Sequence, residues 1–237
     1  MLRILNENTI TLQIKKIKEV GVIMNRERRE GKTLKEEILE YLRTKIILRE
    51  LKPGDRIVEL DIAKKFDISR GPVREAVRRL EDEGLLEYKK NIGCIVKVLS
   101  EKELREMYLI LSNLERLSID LTNGVIKKEY LNKMQKLADD VKKYVEERDI
   151  ESIINTDYEI HKQIVLNTEN EKLYTLWNSM KSNYYAMYLT VVNKDEGIIE
   201  RIPKKHQRLV DVLSEENLEK SIEEIKNHYE NSYKLIL

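Results

Sequence analysis

The chain has a single cysteine, Cys94, in 237 residues, which excludes an intrachain disulfide scaffold and a cysteine-based zinc finger. Three prolines and eight glycines are too few for an all-β chain with many turns, and too few for a low-complexity chain. No run approaches the roughly 20 uninterrupted apolar residues that a membrane-spanning helix needs, so no membrane partner is expected. The opening stretch MLRILNENTITLQIKKIKEV has no compact apolar run followed by a small-residue cleavage site. The expected location is therefore cytoplasmic. What remains is 41% hydrophobic and 37% charged, enough for a core beneath a densely ionised surface. The length suits one large domain or two ordinary ones.

The net charge of +1 conceals an asymmetry. Residues 1–98 hold 23 Lys and Arg against 17 Asp and Glu, whereas residues 99–237 hold 21 against 26. A basic front and an acidic back suggest an anion-binding module followed by a unit with another task. Residues 1–32 form an extension that reads equally as strand or helix: Ile10, Leu12 and Ile14 alternate, while Ile10, Ile14 and Ile17 fit a helix. NRERREGK (25–32) reads as a solvated linker, and Met24 before it is a second candidate start.

Local signals sharpen at Thr33. Thr33 and Glu36 form an S/T-x-x-E capping box, and Ile38, Tyr41, Leu42, Lys45 and Ile46 follow at helical spacing. LKPGD (51–55) is a turn, and Arg56–Val58 is a short strand candidate. Residues 59–66 read as a short helix with Leu60, Ala63 and Phe66 inward. Ser69 is suited to cap a helix from Arg70 to about Glu83, with Pro72 in its first turn, where a missing N–H costs nothing. Val73, Ala76, Val77 and Leu80 make its apolar stripe. LLEYKK (85–90) and CIVKV (94–98) read as a hairpin.

Three helices and a hairpin are the plan of a winged helix-turn-helix, whose recognition helix enters the major groove of double-stranded DNA. Arg70, Arg74 and Arg78 span an arc of about 80°, roughly 110° from the centre of the apolar stripe, so burying the stripe exposes the arginines. Guanidinium groups pair with phosphate oxygens or with guanine O6 and N7. A merely solvated, ion-paired helix face explains any one of these arginines equally well. The combination of turn, cap, arginine row and basic hairpin favours DNA.

From Glu101 onward the chain reads as five or six long helices and no strand, an all-α bundle. Ser100 and Glu103 make a second capping box, and Leu104, Met107, Leu111, Leu114 and Leu117 or Ser118 continue one face. Breaks are expected near Asn123-Gly124, Asp149, Thr168–Asn170, Gly197, Pro203 and Ser214. All three histidines, His161, His206 and His228, lie in this half. Asp157 precedes His161 by four residues, so both share a helix face. One carboxylate and three imidazoles suit a borderline divalent ion such as Zn²⁺, Ni²⁺, Mn²⁺ or Fe²⁺. Taken singly, each histidine reads more simply as a surface or hydrogen-bonded core residue.

The stretch LKPGDRIVELDIAKKFDISRGPVREAVRRLEDEGLL (51–86), followed by NIGCIVKV (91–98), resembles the DNA-binding domain of GntR-family transcription regulators, and SRGPVREA (69–76) is close to that family's recognition-helix signature. The resemblance implies that Ser69, Arg70, Gly71, Pro72 and Arg74 sit at the DNA, with Arg78 further along the row, and that Gly93 lets the wing enter the minor groove. Many relatives carry a DNA-contacting arginine where this chain has Leu60, which cannot make that polar contact.

Residues 101–237 resemble the all-helical FCD effector domain of the FadR branch. DYEIH (157–161) with NTENEKL (167–173), KHQRLVDVL (204–212) and EEIKNHYE (223–230) match its histidine-bearing segments. In metal-binding members one aspartate and three histidines occupy these places, which implies Asp157, His161, His206 and His228 as ligands. Many members place an effector-binding arginine a few residues before the position of Glu115, where this chain has Leu111 and Ser112. The implied protein is a mainly α homodimeric regulator, a repressor by analogy with most relatives. It has a winged helix at 33–98 and an effector-binding, dimerising domain at 99–237. It binds a near-palindromic operator and responds to a small, carboxylate-like effector at the metal. Competing readings are a metal-free regulator responding to an acyl-CoA-type ligand, a winged helix that binds protein, and a metal-dependent hydrolase. Against the hydrolase, the chain lacks H-E-x-x-H, and Glu159 points away from Asp157 and His161 on a helix.

Overall fold

A computed structural model of the chain describes residues 33–47, 50–194 and 197–234. The extension at 1–32, including Met24, lies outside the described residues. The chain divides into two compact units, a winged-helix unit and a helical unit.

The first unit opens with α1 (Leu34–Ile47). Thr33 N–H donates to Glu36 Oε2 at 2.7 Å, and Glu36 N–H returns a bond to Thr33 Oγ1 at 3.3 Å. This reciprocal cap satisfies donors that the first helical turn leaves orphaned. Ile38, Leu42 and Ile46 form the buried face. Next comes α2 (Glu59–Phe66), which ends at Asp67 in the left-handed conformation, φ 50°. In α3 (Arg70–Asp82), Val73, Ala76, Val77 and Leu80 are buried, the stripe expected from their spacing. Strands β1 (Leu86–Lys89) and β2 (Gly93–Val96) pair antiparallel, with Leu86 opposite Val96 and Lys89 opposite Gly93. The strand expected at Arg56–Val58 is reduced to one bridge, Arg56 to Ile95, supported by Ile57 N–H donating to Cys94 O at 2.8 Å.

Leu60 does not face inward: it is 44% exposed. In so short a helix the inner position is filled by Ala63, and Ile57 just before the helix supplies the larger buried side chain. Phe66 is half-buried, edge-on to Tyr41 with ring centroids 5.0 Å apart.

The second unit is helical throughout its described residues, with α4 (Glu101–Leu121), α5 (Lys128–Glu147), α6 (Ile150–Leu166), α7 (Glu171–Asn178), α8 (Lys181–Lys194), α9 (Ile198–Leu213) and α10 (Leu218–Lys234). Ser100 and Glu103 close a capping box at the start of α4. In α6, Ile153, Ile154, Thr156, Tyr158, Ile160, His161, Gln163, Ile164 and Val165 are buried, so this helix is covered nearly all round and forms the stem of the bundle. It packs against α4 and α5, while α9 lies on α5 and α10 on α4. Asn170 caps α7, and the buried Asn167 amide braces the α4–α5 loop, accepting from Lys127 N–H and donating to Val125 O, both at 2.8 Å.

Two details depart from the sequence reading, and a third decides a choice it left open. The helical unit has seven helices among its described residues because α7 and α8 separate at Ser179-Met180, where no Gly or Pro marks a break. Pro203 lies inside α9 instead of ending it, because Ile198, Ile199, Ile202, His206 and Leu209 continue one buried face through it. That packing outweighs the lost N–H bond. The seam of α4 passes through the buried Ser118, while Leu117 is 44% exposed. No helix among the described residues is long and apolar enough to cross a membrane.

Gly124 ends the turn after α4 with φ +79°, and a Cβ there would lie 2.7 Å from the Leu218 backbone at the start of α10. Gly124→Ala is therefore expected to lower unfolding free energy by at least ~1–3 kcal/mol, the cost of a non-glycine residue held in a sparsely allowed conformation. Urea denaturation followed by circular dichroism checks this; an unchanged midpoint would contradict it.

Candidate functional site

The recognition-helix residues lie where the stripe requires. Ser69, Arg70, Gly71, Arg74 and Arg78 are exposed, and Pro72 is half-buried in the first turn of α3. Glu59, at the first position of α2, organises the row: its Oε2 lies 3.5 Å from Arg70 Nη2 and 3.5 Å from Arg74 Nε. Both arginine side chains remain more than half exposed, so the contacts orient the guanidinium groups without sequestering them. On the hairpin, Gly93 has φ +99°, and Arg56 Nε lies 3.4 Å from where a Cβ would stand. The guanidinium of Arg56 fills the space beside the glycine. Tyr88 (72%) and Ile92 (50%) are also exposed on the wing.

In the helical unit, α6 supplies Asp157 and His161, α9 supplies His206 and α10 supplies His228. The three histidines are buried, and each offers a ring nitrogen such that all three lie within 4.8 Å of one another. Ring centroids are 4.9 Å apart for His161 and His228, 5.0 Å for His206 and His228, and 5.5 Å for His161 and His206. Asp157 Oδ1 lies 2.9 Å from His206 Nε2. The four residues singled out in the sequence thus come together around one point.

The surroundings dictate which nitrogens are available. Glu115, fully buried on α4, sits 2.8 Å from His161 Nδ1 and accepts from Trp177 Nε1 at 3.0 Å and from the Tyr229 hydroxyl. A carboxylate only accepts, so His161 Nδ1 carries the proton and Nε2 presents a lone pair. His206 Nδ1 is likewise turned to the Ile202 carbonyl at 2.9 Å, which frees its Nε2. His206 Nε2 and His228 Nδ1 are buried without a hydrogen-bond partner. The 2.9 Å approach of Asp157 to His206 is therefore not aligned as a hydrogen bond. Two ligand atoms 2.9 Å apart can share an ion about 2.0–2.2 Å from each, and histidine nitrogens up to 4.8 Å apart would have to close in slightly to join them. Orphaned buried nitrogens in a His₃-Asp set are what a divalent cation would satisfy, so these residues fit a metal.

Charge reinforces this arrangement. Burial, together with Lys205 and the other two imidazoles, pushes the His228 pKa well below the usual histidine value, which keeps the ring neutral and able to donate a lone pair. At His161 burial works the same way, but Glu115 overrides it and raises the pKa, which favours the doubly protonated ring, so a bound cation would have to displace the Nε2 proton. Burial would raise Asp157, yet His206, His161 and a hydrogen bond from Tyr184 hold the carboxyl well below its ordinary range. Burial lowers Lys205 to about 8, with Asp157 opposing.

Beside the cluster is a small cavity of about 60 Å³, walled by the four candidate ligands, Tyr108, Tyr184, Lys205 and Ser232 and by apolar side chains of α8 and α9. Sequence reasoning missed Glu59, Glu115 and Lys205. Glu59 had a local signal, since it opens the helix before the arginine row. Glu115 had none, because its partners are 46, 62 and 114 residues away. Where an effector-binding arginine was sought, Leu111 and Ser112 are both buried. Glu159, considered as a hydrolytic base, pairs with Lys162 at 3.0 Å.

Comparison with known proteins matches this architecture. Residues 34–96 match "Bacterial regulatory proteins, gntR family", and residues 106–231 match the FCD domain. The chain belongs to the GntR family of transcription regulators and carries an FCD domain, so it is a DNA-binding regulator of this type. Among its relatives is the HTH-type transcriptional regulator YdhC of Bacillus subtilis, 29% identical over 75% of this chain and 80% of that protein. Another is a probable D-xylose utilization operon transcriptional repressor of Paenarthrobacter nicotinovorans, 27% identical over 76% of this chain and 79% of that one. A crystal structure of a GntR transcriptional regulator from Rhodococcus sp. RHA1 shares the fold, with a TM-score of 0.66 at 21% identity over 85% of this chain and 96% of that one.

Glu115→Leu is expected to destabilise the helical unit by at least ~3 kcal/mol, since three buried donors lose their acceptor at about 1–3 kcal/mol each. Chemical denaturation of the purified variant checks this, and a loss below about 1 kcal/mol would show that the donors find other partners.

Proposed function

We propose that the chain acts as a homodimeric repressor of a near-palindromic operator, released by a small organic acid bound beside a divalent ion in the helical domain. Residues 33–98 are assigned to operator recognition and residues 99–237 to effector binding and dimerisation. The observation that carries this reading is the convergence of Asp157, His161, His206 and His228, with their free ring nitrogens, on one buried point next to a cavity.

On the DNA side, Ser69, Arg70, Gly71, Pro72, Arg74 and Arg78 on and before α3 approach the major groove, and the hairpin around Gly93 approaches the minor groove. The exposed guanidinium row supports this, because its groups are oriented yet accessible. Self-association would place two recognition helices on successive half-sites. An exposed apolar row on α4, Leu109, Ile110, Leu117 and Leu121, supports it, since such rows on a helix usually meet a partner.

In the effector domain, Asp157, His161, His206 and His228 would hold the ion, and Glu115 would keep His161 in its ligating tautomer. When bound, the ion supplies a Lewis-acidic point for an oxygen of the effector. Regulation requires the effector to favour one state of the dimer over the other, because binding both equally shifts nothing. A repressing sense accords with relatives named as repressors, among them the gluconate operon transcriptional repressor of Bacillus licheniformis. Pockets for drug-sized ligands measure about 300–1,000 Å³, so a cavity of about 60 Å³ accords better with a small effector than with an acyl-CoA.

Arg74→Ala is expected to weaken operator binding by ~1–3 kcal/mol if it contacts a base. A gel-shift titration tests this, and unchanged affinity removes Arg74 from the interface. His206→Ala is expected to lower the metal content of purified protein; undiminished metal in elemental analysis would mean that the ion is held elsewhere.

A further inference from the structure

Lys205 is a half-buried cation with no carboxylate of its own. It lies on α9 beside His206 and lines the cavity, where its Nζ donates to Ser232 Oγ on α10. Ser232 is buried, and its hydroxyl in turn donates to His228 O at 2.8 Å. No carboxylate among the described residues lies within ion-pair distance of Lys205. The two that attract it are committed to others: Asp157 lies 2.9 Å from His206 Nε2, and Glu224 accepts from Arg208 Nε at 2.8 Å. Arg201 adds further positive charge nearby. A partly desolvated ammonium whose single hydrogen-bond partner is a neutral hydroxyl is costly unless an anion completes it.

The cavity limits what that anion can be. About 60 Å³ is room for roughly four waters at about 15 Å³ each. Its lining mixes apolar side chains, Met187, Val191 and Ile198 among them, with polar ones that include Lys205 and Ser232. A molecule of a few heavy atoms, with a short hydrocarbon part and one carboxylate, suits such a lining.

We propose that Lys205, supported by Ser232, is the anion anchor of the effector cavity and restricts the effector to short carboxylates. This rests on reading the cavity as the effector site, and it replaces the effector-binding arginine that α4 lacks. The anchor acts through its fixed position, with the Ser232 hydroxyl holding the long side chain toward the cavity.

The test is calorimetric titration of full-length protein with acetate, lactate and succinate and with their neutral amides, alongside elemental analysis of the same samples. At least one acid is expected to bind, with its amide at least about tenfold weaker, the effect of losing one charge-assisted hydrogen bond. Lys205→Met is expected to weaken that acid by about tenfold or more at unchanged metal content, while Lys205→Arg retains binding within about threefold. Equal affinity for acid and amide in the wild-type protein overturns the proposal whether or not the variants fold. So does an unchanged affinity in Lys205→Met, or binding of none of the three acids. Lys205-dependent binding to protein without metal would leave the anchor standing and refute the metal reading alone.

Discussion

The helical unit depends on how one buried carboxylate is satisfied. Glu115 has no contact with water, so it must be met by donors within the bundle, and three helices provide them: His161 from α6, Trp177 from α7 and Tyr229 from α10. An acid in this position is tolerable only if all three stay in place, because an unpaired buried charge costs several kcal/mol. Fixing one face of the His161 ring fixes the other. The same hydrogen-bond pattern that holds the core together therefore decides which nitrogen faces Asp157, His206 and His228. Stability and ligand presentation are two results of one arrangement.

The winged-helix unit solves the opposite problem, which is keeping charge outside. Four small or branched residues on α3 must be buried, and the helical period then leaves Arg70, Arg74 and Arg78 on the far flank. Mutual repulsion would spread such a row. Glu59 counters this from a neighbouring helix by facing two of the three. Leu60, next to Glu59, is exposed, so this end of α2 presents an apolar side chain to solvent.

Much of this could be read from the sequence wherever the physics is local. The capping boxes at Thr33 and Ser100, the stripe of α3 and the hairpin each lie within a few residues of chain. The histidine cluster was legible for a different reason: spacing alone put only Asp157 and His161 on one helix face, and the resemblance to the FCD domain joined His206 and His228 to them. Glu115 and Lys205 were not legible. In LSNLERL and PKKHQRL they look like ordinary surface charges, and only packing between distant helices reveals one as buried and the other as cavity-lining. Leu60 was misplaced, and the choice between Leu117 and Ser118 stayed open, for a related reason, since hydrophobicity alone does not choose between two adjacent stripes when Ala63 or Ser118 can take the inner position. Pro203 shows tertiary packing overruling a local breaker.

The short segment from Gly54 to Glu59 links the hairpin to the arginine row of α3. At one end, Gly54 N–H and Ile57 N–H donate to Val96 O and Cys94 O on the wing, and Arg56 fills the space beside Gly93. At the other end, Glu59 faces the arginines of the recognition helix. Wing and helix are thus tied to the same six residues. A substitution within this stretch would therefore be felt by both of them at once.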